Sequence, residues 1–202
     1  MTNEDFANQF QLTKVFFQQQ VASRANELDR HPQLLKSALQ AMGDRSLLAL
    51  KVPPELGGSG LNESEYRRLQ IMMARYSGAL TFLQTQHQNA AAMLVKSHNK
   101  QLQQTFLPHV ATGDALVGVG FSHLRRQGKP MMTATAAREG YLLTGKVPWI
   151  TGYDFFAHFI LGATLPDGRE LYGMLPLQNK TQSAGGKISL SKPMVLIALY
   201  AT

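Results

Sequence analysis

The hydrophobic pattern of this 202-residue chain changes period once, near Gly113, and that change limits the folds open to it more than any other feature. Before Gly113 the apolar residues recur at helical spacing. Phe6, Phe10 and Val15 to Phe17 begin a stripe that continues through Val21, Ala25 and Leu28. It closes at Asp29 to His31, where Pro32 marks a break. Leu34, Leu35, Ala38, Leu39 and Met42 form a second stripe, ended by Gly43. Leu47 to Leu50 is a short apolar run leading into VPPELGGSGL, whose two prolines and three glycines read as a loop. Asn62 or Ser64 caps a third helix through Tyr66, Leu69, Met72 and Met73, and Ser77 or Gly78 punctuates it. A fourth helix runs through Leu80, Leu83, His87, Ala91 and Leu94. Asn99 caps a short fifth through Leu102 and Phe106, which Pro108 stops.

After Gly113 the segments are short, apolar or alternating, and bounded by turn residues. ALVGVGF, MTATAAR, YLLTGKV, FFAHFILGA, ELYGMLPL and KISLS read as strands, with Glu139-Gly140 and Pro166-Asp167-Gly168 as the clearest hairpin turns. Helices first and strands afterwards place the chain in the α+β class. We expect an all-α helical domain over residues 1–113, then an antiparallel β-barrel-like domain, incomplete at its end, over residues 114–202.

Composition excludes several classes. Hydrophobic residues make up 44% and charged residues 16%, which suits a globular protein rather than a disordered one. The formal charge is +7, but residues 1–113 carry +3 and residues 114–202 carry +4, so neither half is a basic arm. Arg67-Arg68 and Arg125-Arg126 are the only adjacent basic pairs, and we expect a solvated surface and no nucleic-acid partner. The absence of cysteine excludes disulfides, thiolate nucleophiles and sulfur-ligated zinc. It suits a reducing compartment, and a cytoplasmic location is expected. MTNEDFANQF is no secretory signal, and no run approaches the ~18 apolar residues of a membrane span.

The stretch EGYLLTGKVPWITG, Glu139 to Gly152, carries the chemistry. It reads as a strand ending in a bend that sets the only tryptophan, Trp149, beside the Thr151 hydroxyl. An amphipathic ring next to a hydroxyl suits a flat, partly polar cofactor. The plainer alternative is a core tryptophan at a strand end with Thr151 opening a turn, and the residues by themselves leave both open. Gly118-Val119-Gly120 lacks the third glycine of a dinucleotide fingerprint, position 123 being His, and reads as a strand with small residues. His31, His87, His98, His109, His123 and His158 form no HExxH and no i, i+4 pair, so no metal site is expected. His87 reads as a satisfied core or interface histidine, and no GxSxG marks Ser122 as a nucleophile.

VPPELGGSGL, a helical pair, FLPHVATGDALVGVGFS and GYLLTGKVPWITG follow one another in an order that resembles the acyl-CoA dehydrogenase family. The family pattern is VPxExGGxG, then YLPxLAxGExxxxFALTEP, then GYxLxGxKxWIT, and the resemblance covers the chain from about Val52 to Ala163. It implies an N-terminal helical domain, a middle β domain and a C-terminal four-helix domain, with FAD between the last two. It also implies a role in fatty acid metabolism, in which a proton leaves the carbon α to a thioester and a hydride passes from the β carbon to the flavin. Ser122 matches the Thr of LTEP and Phe121 the residue before it, both at the pyrimidine side of the flavin. Trp149 and Thr151 match the Trp and Thr of WIT, beside the ring.

Two departures stand out. TEPxAGSD is replaced by the segment from Ser122 to Lys129, whose Arg125, Arg126 and Lys129 either offer charge to a pyrophosphate or form an exposed basic loop. The sequence ends at Thr202 within an apolar stretch, Met194 to Tyr200, that reads as β. The expectation is therefore a truncated acyl-CoA dehydrogenase-like flavoprotein that lacks the catalytic base, so no catalytic residue is assigned. Its cofactor is FAD, its substrate an acyl thioester or a related small molecule, and its partner a second copy or the missing domain. The alternatives are a flavin-dependent monooxygenase of the same fold and a non-enzymatic remnant or interaction module.

Overall fold

Short polar residues placed just before apolar runs set where the helices begin. In the computed structural model, which describes residues 2–138 and 140–178 and the backbone of 180–181 and 187–188, helix α1 (Asn3–Phe16) starts from a Thr2–Asp5 capping box. Pro32 opens α3 (Pro32–Gly43), where its missing N–H has no intrahelical partner to lose. Asn62 and Glu65 cap α4 (Glu63–Ala74) reciprocally. The Ser77 side chain accepts from the Leu80 amide at the start of α5 (Gly78–Lys96), and Asn99 accepts from Leu102 at the start of α6 (Lys100–Val110).

The first stripe is not one uniform helix. Between α1 and α2 (Ala25–Arg30) lie a π-helical turn, Phe17–Val21, and a 3₁₀ turn, Ala22–Arg24. The Ala22 amide donates to the Phe17 carbonyl five residues back, and the wide turn sets both Phe17 and Val21 fully inside the core. Pro108, expected to stop α6, lies within it, and the helix runs on to Val110. So near the end of the helix, proline removes one hydrogen bond without breaking the turn.

The described residues divide into two compact units, one up to Ala115 and one that begins at Leu116 and includes the strands that follow. The first is built on α5, whose buried face carries polar groups as well as apolar ones. The Gln84 amide donates to the Leu47 carbonyl at 3.1 Å, and the Gln88 side-chain oxygen accepts from the Lys51 amide at 3.0 Å. His87 sits in the core with Nε2 2.8 Å from the Val110 carbonyl, as the sequence suggests. Buried Leu47, Leu48, Leu50 and Val52 are thereby held against α5, and the VPPELGGSGL loop follows with a 3₁₀ turn at Pro54–Leu56. A Cβ at Gly58 would come within 2.1 Å of the Val52 carbonyl oxygen, so only glycine closes this loop.

The second unit is a mixed five-stranded sheet: β1 (Val117–Gly120), β2 (Met132–Ala137), β3 (Gly140–Gly145), β4 (His158–Thr164) and β5 (Glu170–Pro176). β2–β3 and β4–β5 are antiparallel hairpins, whereas β1 runs parallel to β4 in the register Gly120↔Leu161, and β2 touches β4 at Thr133↔Thr164. A parallel pair needs a long crossover, and residues 121–157, which include the β2–β3 hairpin, supply it. The Pro166-Asp167-Gly168 turn forms as expected, with Gly168 at φ 85 and its amide donating to the Leu165 carbonyl. Met132, Ala134, Phe159, Leu161 and Ala163 form the core of this sheet, with Leu143 and Ile150 packed on it. A further backbone pair, β6 (Lys180–Thr181) with β7 (Lys187–Ile188), is antiparallel. Glu139, Ser189 to Ser191 of KISLS, and Met194 to Tyr200 lie outside the described residues.

Candidate functional site

The bend at Trp149 to Gly152 is held against β1 by backbone rather than by side chains. The Thr151 amide donates to the Val119 carbonyl at 3.2 Å. A Cβ at Gly118 would fall 2.0 Å from the Thr151 carbonyl oxygen, and one at Gly120 would fall 3.0 Å from Ile150 Cγ1. The two glycines that look like half a dinucleotide fingerprint are thus a cradle into which residues 150–151 lie flush. Gly152, at φ 100, turns the chain away under the Phe156 ring.

This packing fixes a side-chain hydrogen bond within the bend. Trp149 Nε1–H donates to Thr151 Oγ1 at 3.3 Å. Thr151 is 5% exposed and Trp149 37% exposed. The indole N–H occupies one lone pair of the hydroxyl, so the Thr151 O–H keeps its own proton to donate elsewhere. The exposed part of the indole is apolar surface beside that donor.

Phe121 and Ser122 follow β1 directly. Phe121 packs edge-to-face on Tyr172 of β5, ring centroids 5.7 Å apart, and Ser122 is exposed as the first residue of a 3₁₀ turn, Ser122–Arg125. Trp149 and Thr151 are therefore bonded to each other and pinned beside β1, while Phe121 and Ser122 leave its end. Arg125, Arg126 and Lys129 are exposed, and Arg126 lies beside the Met131 sulfur. Tyr172 donates to the Glu170 carboxylate at 2.5 Å. Burial, that bond and the Glu170 charge push its phenol up to about 12, so it stays protonated at neutral pH.

Three residues of this region carry no signal that sequence reasoning used. Tyr172 looks like any strand tyrosine, Gly162 like any strand glycine, and His123 like one of six scattered histidines. The flanking Phe121 and Leu124 were the available hint that His123 points inward.

With the geometry in hand, the comparison with known proteins decides the ancestry. The profile of the acyl-CoA dehydrogenase N-terminal domain matches residues 5–114. The chain belongs to the acyl-CoA dehydrogenase family. Isovaleryl-CoA dehydrogenase of Pongo abelii is 28% identical over 142 residues, covering 67% of this chain and 34% of the relative. The 3-(aryl)acrylate reductase of Clostridium sporogenes is 22% identical over 186 residues, covering 90% and 49%. The chain thus spans between a third and a half of the length of these relatives. Among solved structures, an acyl-CoA dehydrogenase of Bacillus anthracis complexed with FAD superposes with a TM-score of 0.74 at 22% identity, covering 89% of this chain and 32% of that one. A methanesulfinate monooxygenase of Pseudomonas fluorescens gives 0.65 at 19% identity, covering 90% and 44%. These two share the fold. No helix among the described residues is long and apolar enough to cross a membrane.

Proposed function

We propose that this family member is an acyl-CoA dehydrogenase-like flavoprotein whose second unit holds one side of FAD, and that it works in the cytoplasm on an acyl thioester. The observation that carries the reading is the Trp149–Thr151 bond, seated on the Gly118–Gly120 cradle. It leaves a buried hydroxyl with a proton to donate beside an apolar ring, which is the donor set that an electron-accepting heterocycle needs. FAD, when bound, supplies the hydride-accepting ring. Thr151 donates to it, the Trp149 indole covers it from water, and Phe121 and Ser122 border it at the end of β1. These residues bind and orient, and none is assigned proton abstraction. Assembly with a second copy or with a further helical domain belongs to the same proposal.

The protein has one tryptophan, so FAD titration read by Trp149 emission tests the site directly. We expect FAD to quench that emission, and Thr151→Ala to weaken FAD binding about tenfold, the worth of one hydrogen bond. Emission indifferent to FAD would refute the reading.

The basic segment Arg125 to Lys129, standing where the family has an acidic glycine-serine stretch, favours a second reading as a flavin monooxygenase of the same fold. Oxygen consumption driven by a flavin reductase would support it, and acyl-CoA-dependent dye reduction would support the dehydrogenase.

A further inference from the structure

His123 sits where the family motif carries the Glu of LTEP, and its surroundings give that replacement a purpose. The side chain is 3% exposed, and Nε2 lies 3.0 Å from the Gly162 carbonyl oxygen. A carbonyl only accepts, so Nε2 carries a proton, and Nδ1 is buried without a hydrogen-bond partner. Gly162 lies one residue beyond the last β1–β4 pair, Gly120↔Leu161, so the imidazole bonds to β4 just where β1 stops. The turn also needs Gly162 to be glycine. A Cβ there would fall 2.7 Å from Phe121 Cβ and 2.5 Å from Leu124 Cδ1. Across the hairpin Gly162 pairs with Tyr172, the ring on which Phe121 packs. Within the turn, the Leu124 amide donates to Phe121 and the Arg126 amide to His123.

We infer that His123 is a positioning residue: a buried latch that fixes the Phe121–Ser122 turn to Gly162 of β4 and so sets how those two residues meet the ligand. The inference rests on the flavin reading for the identity of that ligand, but the latch itself is testable without one. A buried imidazole with an unpartnered Nδ1 suits this task, because its one hydrogen bond is the Nε2–H bond to the Gly162 carbonyl.

The test uses the full 202-residue chain with His123→Leu, His123→Gln and Gly162→Ala. Histidine ring ¹⁵N spectra of the unmodified chain should show the Nε2–H tautomer at His123. His123→Leu and Gly162→Ala should speed hydrogen exchange at the Leu124 and Arg126 amides about tenfold or more, as expected for a lost buried hydrogen bond. Amides of the β2–β3 hairpin should keep their rates. His123→Gln, whose amide N–H can reach the same carbonyl, should restore the slow exchange. FAD affinity, measured relative to the unmodified chain, should fall in His123→Leu and recover in His123→Gln. An Nδ1–H tautomer, exchange unchanged in His123→Leu, or exchange raised evenly through the whole sheet would each overturn the latch. If the unmodified chain binds no FAD, the flavin reading falls, and tautomer and exchange alone decide the latch.

Discussion

Among the described glycines of the second unit, the tightest place for an added side chain is Gly118, against a backbone oxygen, and it predicts which single atom the site cannot accept. At Gly118 an added Cβ meets the Thr151 carbonyl oxygen at 2.0 Å, and backbone cannot rotate out of the way as a long side chain can. At Gly173, in the same sheet, it would meet nothing within 4 Å. Gly118→Ala should therefore destabilise the chain by about 1–3 kcal/mol, the usual cost of overpacking. Gly173→Ala should be neutral or stabilising by up to about 1 kcal/mol, because it restricts the unfolded chain. Urea unfolding of the two variants checks this, and equal midpoints would show that the cradle relaxes. Gly118→Ala should also shift Trp149 emission, since the segment carrying the indole is what moves.

At the scale of elements, the first unit ties its loop to its helices partly by charge. Lys51 leaves the apolar segment before the loop and meets Glu63 of α4 at 2.7 Å, and Arg67 meets the same carboxylate at 2.9 Å. The hydrogen bonds from Lys51 and then Arg67 hold the Glu63 carboxyl down at about 2. A carboxyl depressed in the folded state stabilises above its unfolded value, 4.5, and loses that contribution as pH falls towards 2. Because Glu63 is solvent-exposed, screening keeps the effect small. Glu63→Gln should lower the neutral-pH thermal midpoint slightly and so flatten its fall between pH 5 and pH 2.5, about the window these values define, with the two proteins converging at the acid end. Parallel acid limbs for the two proteins would show that the pair contributes nothing. Elements were also what the sequence disclosed best. The caps at Asn62 and Asn99, the punctuation at Ser77, the break at Pro32 and the strand segments follow from local chemistry that each residue carries with it. The π turn at Phe17–Val21, the parallel β1–β4 pairing and the seat of His123 on Gly162 depend on residues far apart in the chain. No window of neighbours contains them. The WIT segment was legible as a motif, whereas the glycine cradle beneath it was not, because a close approach shows only once β1 lies beside it.

At the scale of the molecule, each compact unit brings a core of its own, and the two cores are unequal. Among the described residues of the first unit, Phe17, Leu39, Met42, Leu48, Leu50, Leu69, Met73 and Leu80 are fully enclosed. The sheet of the second unit has a smaller core and leaves Tyr141 and Leu142 of β3, together with Tyr172 of β5, largely exposed. Among the described strands β3 pairs only with β2, so Leu142, 61% exposed, sits on an outer strand where apolar surface invites pairing with another chain. Separating the chain between Ala115 and Leu116 should then give two different behaviours. The helical fragment has enough chain to enclose its core. It should keep its helical circular dichroism and unfold in one cooperative transition. The fragment beginning at Leu116 should self-associate in size-exclusion chromatography, and Leu142→Lys should reduce that association without lowering the thermal midpoint, since the side chain it replaces is mostly in solvent. Should the helical fragment instead melt without cooperativity, its core depends on residues after Ala115. Should Leu142→Lys leave association unchanged, the contact lies on the face of the sheet at Tyr172 rather than on the β3 edge.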